Sequence, residues 1–399
     1  MKRYVIFVLP VAVIGITAAV PVLYGDHPVT FAHGTGASPS AASALPGESP
    51  SGSGSAAAPS ASASYDGPRV ARVWQPGTPE WGVQVYWLDD PADPENFVQG
   101  KADRIVKYLV DLNANAMAVS FPVYTGGRSS TELEAQPTTP TPERLAVLLD
   151  TAQRAGLRTT VRPILDEVSL KPAAGGWRGN ITPADKDAWF TSYGKLLTPY
   201  LKMAKEHHAA AFTLGTEFNS LEGDPHWQGL VDQAHRLFDG ELGYDANFDS
   251  YISGPVDIPL PDIGVDAYFP AKSAADDAPV SELVASWNKW LDRKGKGALP
   301  TTMLTEVGIP AQEGAYKKPG DFYAKRALNE AVQANWYQAV CQVAQQRKLA
   351  GVYFWSAYFG TDPNKKADQD TPRMEFAGRP DSEKAIRDCF AGSYQVPKG

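Results

Sequence analysis

The chain has 399 residues, 43% of them hydrophobic and 21% charged, enough for one large core of the size a barrel uses. A net charge of -8 gives no basic surface of the kind that binds nucleic acid, so no nucleic-acid partner is expected. The two cysteines and six histidines show no metal-ligand spacing, and no cofactor signature is present.

In chain order, Met1-Lys2-Arg3 is basic and Tyr4–Tyr24 is almost wholly apolar, about long enough to span a bilayer. Residues 1–33 are therefore expected to be an uncleaved membrane anchor or a cleavable signal peptide. In both cases the remainder is extracellular, secreted or tethered to the outer face of the cytoplasmic membrane. Residues 34–66 are Ser, Ala, Pro and Gly with almost no charge, too poor in apolar surface to offset the entropy of ordering. They read as a flexible linker spanning roughly 30 Å on average. The folded catalytic domain is expected over residues 67–399.

Beyond the linker, short apolar runs alternate with helical periods. Gly82–Leu88 is the first expected strand, followed by a helix over Ala102–Leu112 with Ile105, Leu109 and Leu112 on one face. Ala116–Val123 is the second strand. Thr141 caps the next helix, Pro142 opens it and Gly156 ends it. Leu157–Leu165 is the third strand, and a long loop over Asp166–Pro183 leads to a helix at Trp189–Ala204. His207 and His208 fall near that helix end. The fourth strand ends at Glu217. A helix at His226–Phe238, a fifth strand at Leu242–Phe248 and a sixth at Asp262–Phe269 follow. Val280–Leu291 is a helix, the seventh strand ends at Glu306, and Lys325–Gln345 is a long helix. Leu349–Tyr358 is the eighth strand and Asp381–Cys389 a closing helix. Eight strands alternating with helices predict an α/β fold, a single (β/α)8 TIM barrel. An open doubly wound sheet is the alternative, but no GxGxxG follows any strand.

Functional groups of such a barrel sit at the C-terminal ends of its strands. Glu217, in Gly215-Thr216-Glu217, and Glu306, in Thr305-Glu306-Val307-Gly308, each end a buried strand. Two facing carboxyls are what glycoside hydrolysis requires, one protonated to donate to the leaving oxygen and one ionised to attack the anomeric carbon. The alternative for a lone Glu, a salt-bridged or surface residue, is harder to sustain for two.

Trp177-Arg178-Gly179, Gly215-Thr216-Glu217, Tyr244-Asp245-Ala246-Asn247, Ile263–Pro270 and Thr305–Gly308 occur in this order. As an ordered set, from about Val70 to Phe390, they resemble glycoside hydrolase family 113, the beta-mannanase family, within the clan of retaining glycosidases with catalytic Glu on strands four and seven. The resemblance implies Glu217 as acid/base, Glu306 as nucleophile and Tyr268 beside the nucleophile. It also implies Trp355, at the end of strand eight, as a platform under the reacting sugar. Trp87 ends strand one and either flanks the same subsite or lies in the core. Trp177 and Arg178 either bind sugar or pin their loop, and Asn247 is placed to reach a sugar hydroxyl. Asn219 and Trp227 follow the acid/base, while Arg162 and Asp166 orient one another or the substrate. Two departures bear on sugar preference. Thr216 stands where much of the clan has Asn, and Arg162-Pro163-Ile164 replaces the family's Lys-Pro-His.

Cys341 and Cys389 fall on helices that are neighbours around a barrel, so they form either a disulfide, which export permits, or two buried thiols. The expected function is a retaining endo-beta-1,4-mannanase acting on mannan or manno-oligosaccharides without a cofactor. The alternatives are a beta-glycosidase for another hexose polymer or a non-catalytic carbohydrate-binding barrel. The expected partners are a polysaccharide or oligosaccharide and, through an uncleaved N-terminal segment, the membrane; the chain is expected to act as a monomer.

Overall fold

The computed structural model describes residues 66–170, 175–321 and 323–398. The expected anchor or signal, and all of the linker except Asp66, lie outside these residues. Eight parallel strands form the barrel: β1 Glu80–Tyr86, β2 Ala116–Thr125, β3 Arg158–Leu165, β4 Ala211–Thr216, β5 Glu241–Asn247, β6 Asp262–Asp266, β7 Met303–Val307 and β8 Gly351–Tyr358. Each pairs with the next, and β1 pairs with both β2 and β8, which closes the cylinder. This is the expected (β/α)8 barrel. A short antiparallel addition, Leu133–Glu134, pairs with the upper end of β2.

The helices are α1 Glu95–Asp111, α2 Pro142–Arg154, α3 Lys186–Glu206, α4 His226–Leu237, α5 Phe248–Ser253, α6 Val280–Leu291, α7 Glu330–Arg347 and α8 Pro380–Ala391. Local chemistry sets their ends. The Thr141 hydroxyl accepts the backbone N–H of Arg144, with Pro142 at the first helical position, and the Asp185 carboxylate accepts that of Ala188. Two expected boundaries move. Helix α1 begins at Glu95 rather than Ala102: Val98, one turn before Ala102, is buried and extends the apolar face, while Glu95, Asn96 and Phe97 are exposed. Helix α7 begins at Glu330 rather than Lys325, since Asn329 is extended and Gln312 pairs with Leu328 in an antiparallel bridge.

The main core lies between strands and helices, where Leu109, Leu149, Leu201, Trp287, Trp336 and Phe354 are fully buried. The inside of the cylinder is different. A small apolar group of Ala116, Ala118 and Tyr353 sits low in it. Below them Arg158 bridges Glu80 and Glu241, and the Tyr353 hydroxyl donates to Glu80. Small side chains leave a cavity of about 600 Å³, which reaches from Glu80 and Arg158 up to Arg162, Asp245 and Thr305.

Both ends of the described chain gather at this floor. The Val70 N–H donates to the Ala155 carbonyl after α2, and Val396 N–H donates to Gly77, just ahead of β1. Arg72 donates to the carbonyl of Phe390 and the Trp81 indole N–H to that of Gly392. Cys341 on α7 and Cys389 on α8 form a disulfide with Cα atoms 5.4 Å apart, which realises the bonded alternative.

Candidate active site

The strand register delivers the two carboxyls to the same mouth. Thr216, the last residue of β4, lies beside Asp245 of β5, and Asp266, the last of β6, lies beside Glu306 of β7. Glu217 comes one residue after β4 rather than within it. Its backbone is left-handed, with φ 54°, and its N–H donates to the Asp245 carbonyl. That conformation is uncommon for a non-glycine residue and marks a position held by its surroundings. Gly215 helps present it, since a Cβ there would come within 2.7 Å of the Trp227 ring.

Glu217 is only 6% exposed. Its Oε1 accepts from Asn247 Nδ2 at 2.6 Å and its Oε2 from Arg178 Nη1 at 2.7 Å. Burial outweighs the opposing pull of Arg178, the Glu306 charge adds to burial, and the carboxyl is pushed up to about 7. Arg178 also donates through Nε to the carbonyl of Leu165 at the end of β3, so it joins its loop to the acid. Trp177 is half-buried and lies across Gly179, where a Cβ would be 2.2 Å from its ring.

Glu306 has the partners of a carboxylate. The Tyr268 phenol donates to Oε2 at 2.5 Å, and Arg162 Nη1 lies 2.5 Å from Oε1. The second contact is a close ionic one without hydrogen-bond alignment, since Oε1 makes no aligned hydrogen bond. Arg162 is 1% exposed. It donates from Nε to Asp245 Oδ2 at 2.5 Å and from Nη2 to Asp266 Oδ2 at 2.8 Å. Burial acts against its charge, but Asp266, Glu306 and Asp245 together hold it cationic well above its ordinary range. Gln84 and Ser120 finish this layer: the Ser120 hydroxyl donates to Gln84 Oε1 and Gln84 Nε2 donates to the Thr305 carbonyl. Among the described residues no cluster of His, Cys, Asp and Glu is arranged to hold a metal.

Of the residues expected in the site, Glu217, Glu306, Tyr268, Arg178 and Asn247 meet directly. Asn247 also accepts the Asp249 N–H through Oδ1, capping α5, so one amide serves fold and site together. Trp355 is half-buried near the mouth, with its ring 5.5 Å from that of Tyr86. Trp87 is a correction: it is 1% exposed, stacks on Phe359 at 3.7 Å and donates its indole N–H to Asp89, so no face is left for a sugar. Strand alternation accounts for this: Gln84 points into the cylinder, so Val83, Val85 and Trp87 face the helices. Trp227 is likewise buried, with its indole N–H on the Leu221 carbonyl. Asn219 faces Asp249 and Ser250. Asp166 accepts the Val168 N–H and makes no pair with Arg162. The Thr216 hydroxyl is buried and has no protein partner among the described residues. Sequence reasoning passed over Asp245 and Asp266. The available signal was an acidic residue inside an otherwise buried strand, which demands a partner.

A closed parallel barrel whose C-terminal mouth holds two buried carboxyls in unequal surroundings is built as glycoside hydrolases are. The sequence profile of Glycoside Hydrolase Family 113 matches residues 91–375, and the chain belongs to that family. None of the curated proteins matches the sequence. Among solved structures, one described as a GH113 beta-1,4-mannanase superimposes with a TM-score of 0.64 at 19% identity, covering 78% of this chain and 98% of that one. The GH113 beta-mannanase AaManA from Alicyclobacillus acidocaldarius, in complex with ManMIm, gives 0.62 at 18% identity over 78% and 96%. At such identities the likeness speaks for the fold.

Proposed function

We propose that the protein is a retaining endo-beta-1,4-mannanase that cleaves mannan or manno-oligosaccharides through a covalent glycosyl-enzyme. The observation that carries this reading is the inequality of the two carboxyls. Glu217 is held near 7 by burial, and Glu306 is served by a guanidinium and a phenol. In the first step Glu217 gives its proton to the glycosidic oxygen while a Glu306 oxygen bonds to the anomeric carbon and the bond to the leaving sugar breaks. In the second step the Glu217 carboxylate takes a proton from water, whose oxygen attacks the anomeric carbon and releases Glu306. Trp355, Trp177 and Asn247 are assigned to substrate contact around these groups. The mannan preference leans on family membership and on the mannanases that share the fold.

The test is product analysis on a panel of beta-linked polysaccharides, with Glu306→Ala beside the wild type. Hydrolysis should fall by orders of magnitude in the variant, and azide should return turnover as an alpha-glycosyl azide. Full activity without Glu306 would end this assignment. Release of short products from glucan or xylan alone would reassign the sugar. The same proposal has residues 67–399 as the catalytic domain of an exported monomer. The disulfide supports export, because such bonds persist in oxidising compartments; recovery of the native protein in the cytosol would count against it.

A further inference from the structure

Beneath Glu306 lies a closed box of charge. Arg162 of β3 stands at its centre and faces three carboxyls, those of Asp245 on β5, Asp266 on β6 and Glu306 on β7. Their exposures are 3%, 0% and 5%. The other groups packed against the box are neutral: Gln84 from β1, Ser120 from β2, Thr305 from β7 and the Tyr268 phenol. Above it, Glu217 contributes a further carboxyl, and Arg178 is shared between Glu217 and Glu167. Fully ionised, three carboxylates around one guanidinium leave two uncompensated negative charges in a dry interior, which proteins avoid.

The hydrogen-bond pattern resolves the excess. Thr305 Oγ1 lies 3.0 Å from Asp266 Oδ1. A hydroxyl can accept as well as donate, so this contact is kept when Asp266 carries a proton. Gly264 permits this closeness, because a Cβ there would lie 2.7 Å from Asp245 Oδ1 and 2.4 Å from Thr305 Cγ2. We propose that the box holds one resident proton, carried on Asp266 and donated to the Thr305 hydroxyl. Arg162 then divides its charge between two carboxylates, Asp245 and Glu306, rather than three. Asp266 and Thr305 are thereby positioning residues for Glu306. Burial, opposed by Arg162 and reinforced by Glu306 and Asp245, pushes the Asp266 carboxyl well above the ordinary range, in agreement with this assignment. The cavity below reaches Arg162, Asp245 and Thr305, while the three carboxyls stay almost wholly unexposed. Service to Glu306 rests on the proposed glycosidase chemistry; the proton itself does not.

The proton is read without substrate, by infrared spectroscopy of the full chain at neutral pH in a Glu217→Gln background. A carboxylic-acid C=O band is expected that shifts in D2O and disappears when Asp266→Asn is added. No such band, or one that survives in the double variant, overturns the proposal. Should the double variant fail to fold, ¹³C NMR of the Asp-labelled wild type decides. One aspartate carboxyl in the acid form at neutral pH supports the resident proton, and all in the carboxylate form overturns it. For positioning, Thr305→Val should lower kcat about tenfold, the worth of one hydrogen bond, with KM within about twofold. Unchanged kcat removes the positioning role. Failure of the glycosidase reading looks different: the wild type would be inert on every polysaccharide while the infrared band persisted.

Discussion

Replacing Glu217 by Gln should change how stability depends on pH, and by an amount that the site geometry sets. The carboxyl of Glu217 is pushed from an ordinary value of 4.5 to about 7, chiefly by burial. In the unfolded chain it ionises near its ordinary value. Between the two values the unfolded state therefore releases a proton that the folded state retains, and stability falls as pH rises. The contribution of the protonated acid is complete below about 4.5 and gone above about 7. At ~1.4 kcal/mol for each pH unit, the loss is about 3 kcal/mol. Gln keeps the shape and one acceptor for Arg178 but cannot ionise. The assay is denaturant unfolding of wild type and variant at pH 5 and pH 8, with the difference between the two proteins taken at each pH. This difference should move by about 3 kcal/mol in favour of the variant on going to pH 8, which cancels the contributions of all other groups. A difference that stays flat would refute the claim that Glu217 is buried as an acid.

The remaining expectations concern neighbouring groups. Arg178→Ala removes the cation that pulls Glu217 downward, so the alkaline limb of kcat, where the general acid loses its proton, should move to higher pH. Tyr268→Phe deletes the phenol that donates to Glu306 and should lower kcat/KM about 30-fold, the worth of roughly 2 kcal/mol for a hydrogen bond to a charged group. Gly264→Ala drives a methyl into Asp245 and Thr305, so thermal melting should show a loss of about 1–3 kcal/mol together with reduced activity. Cys389→Ala opens a loop of 48 residues and should cost about 4 kcal/mol in urea unfolding, with kcat at 25 °C unchanged because the bond lies on the outer helices.

What could be read in one dimension follows from which interactions are local. The alternation of apolar strands and periodic helices is local, and it led directly to the closed barrel. Glu217 and Glu306 stood out because each interrupts an apolar run at its end. Asn247, Arg178 and Tyr268 came with ordered motifs, and the structure brings all three onto the two carboxyls. The charge box was not legible in this way. Arg162 finds Asp245 and Asp266 across 83 and 104 residues, and a pattern along the chain says only that each needs a partner. The left-handed turn at Glu217 was likewise hidden, since nothing in Gly-Thr-Glu demands it; the Asp245 carbonyl and the packing of Trp227 do. Trp87 was misplaced by one geometric error. Counting by twos from Gln84, which faces the cylinder interior, puts Val85 and Trp87 on the outer side, so the ring packs onto Phe359.

The gathering of both chain ends beneath the barrel fixes an orientation for anything joined to them. Asp66 leads toward β1 from below, and Val396 is bonded to Gly77 on the same side, while Glu217 and Glu306 open at the opposite pole. A group joined directly at Asp66 or just after Lys398 therefore starts from the side of the barrel opposite Glu217 and Glu306. For immobilised use, the two ends of the described chain serve as handles, and the loops around the mouth are the places to leave untouched.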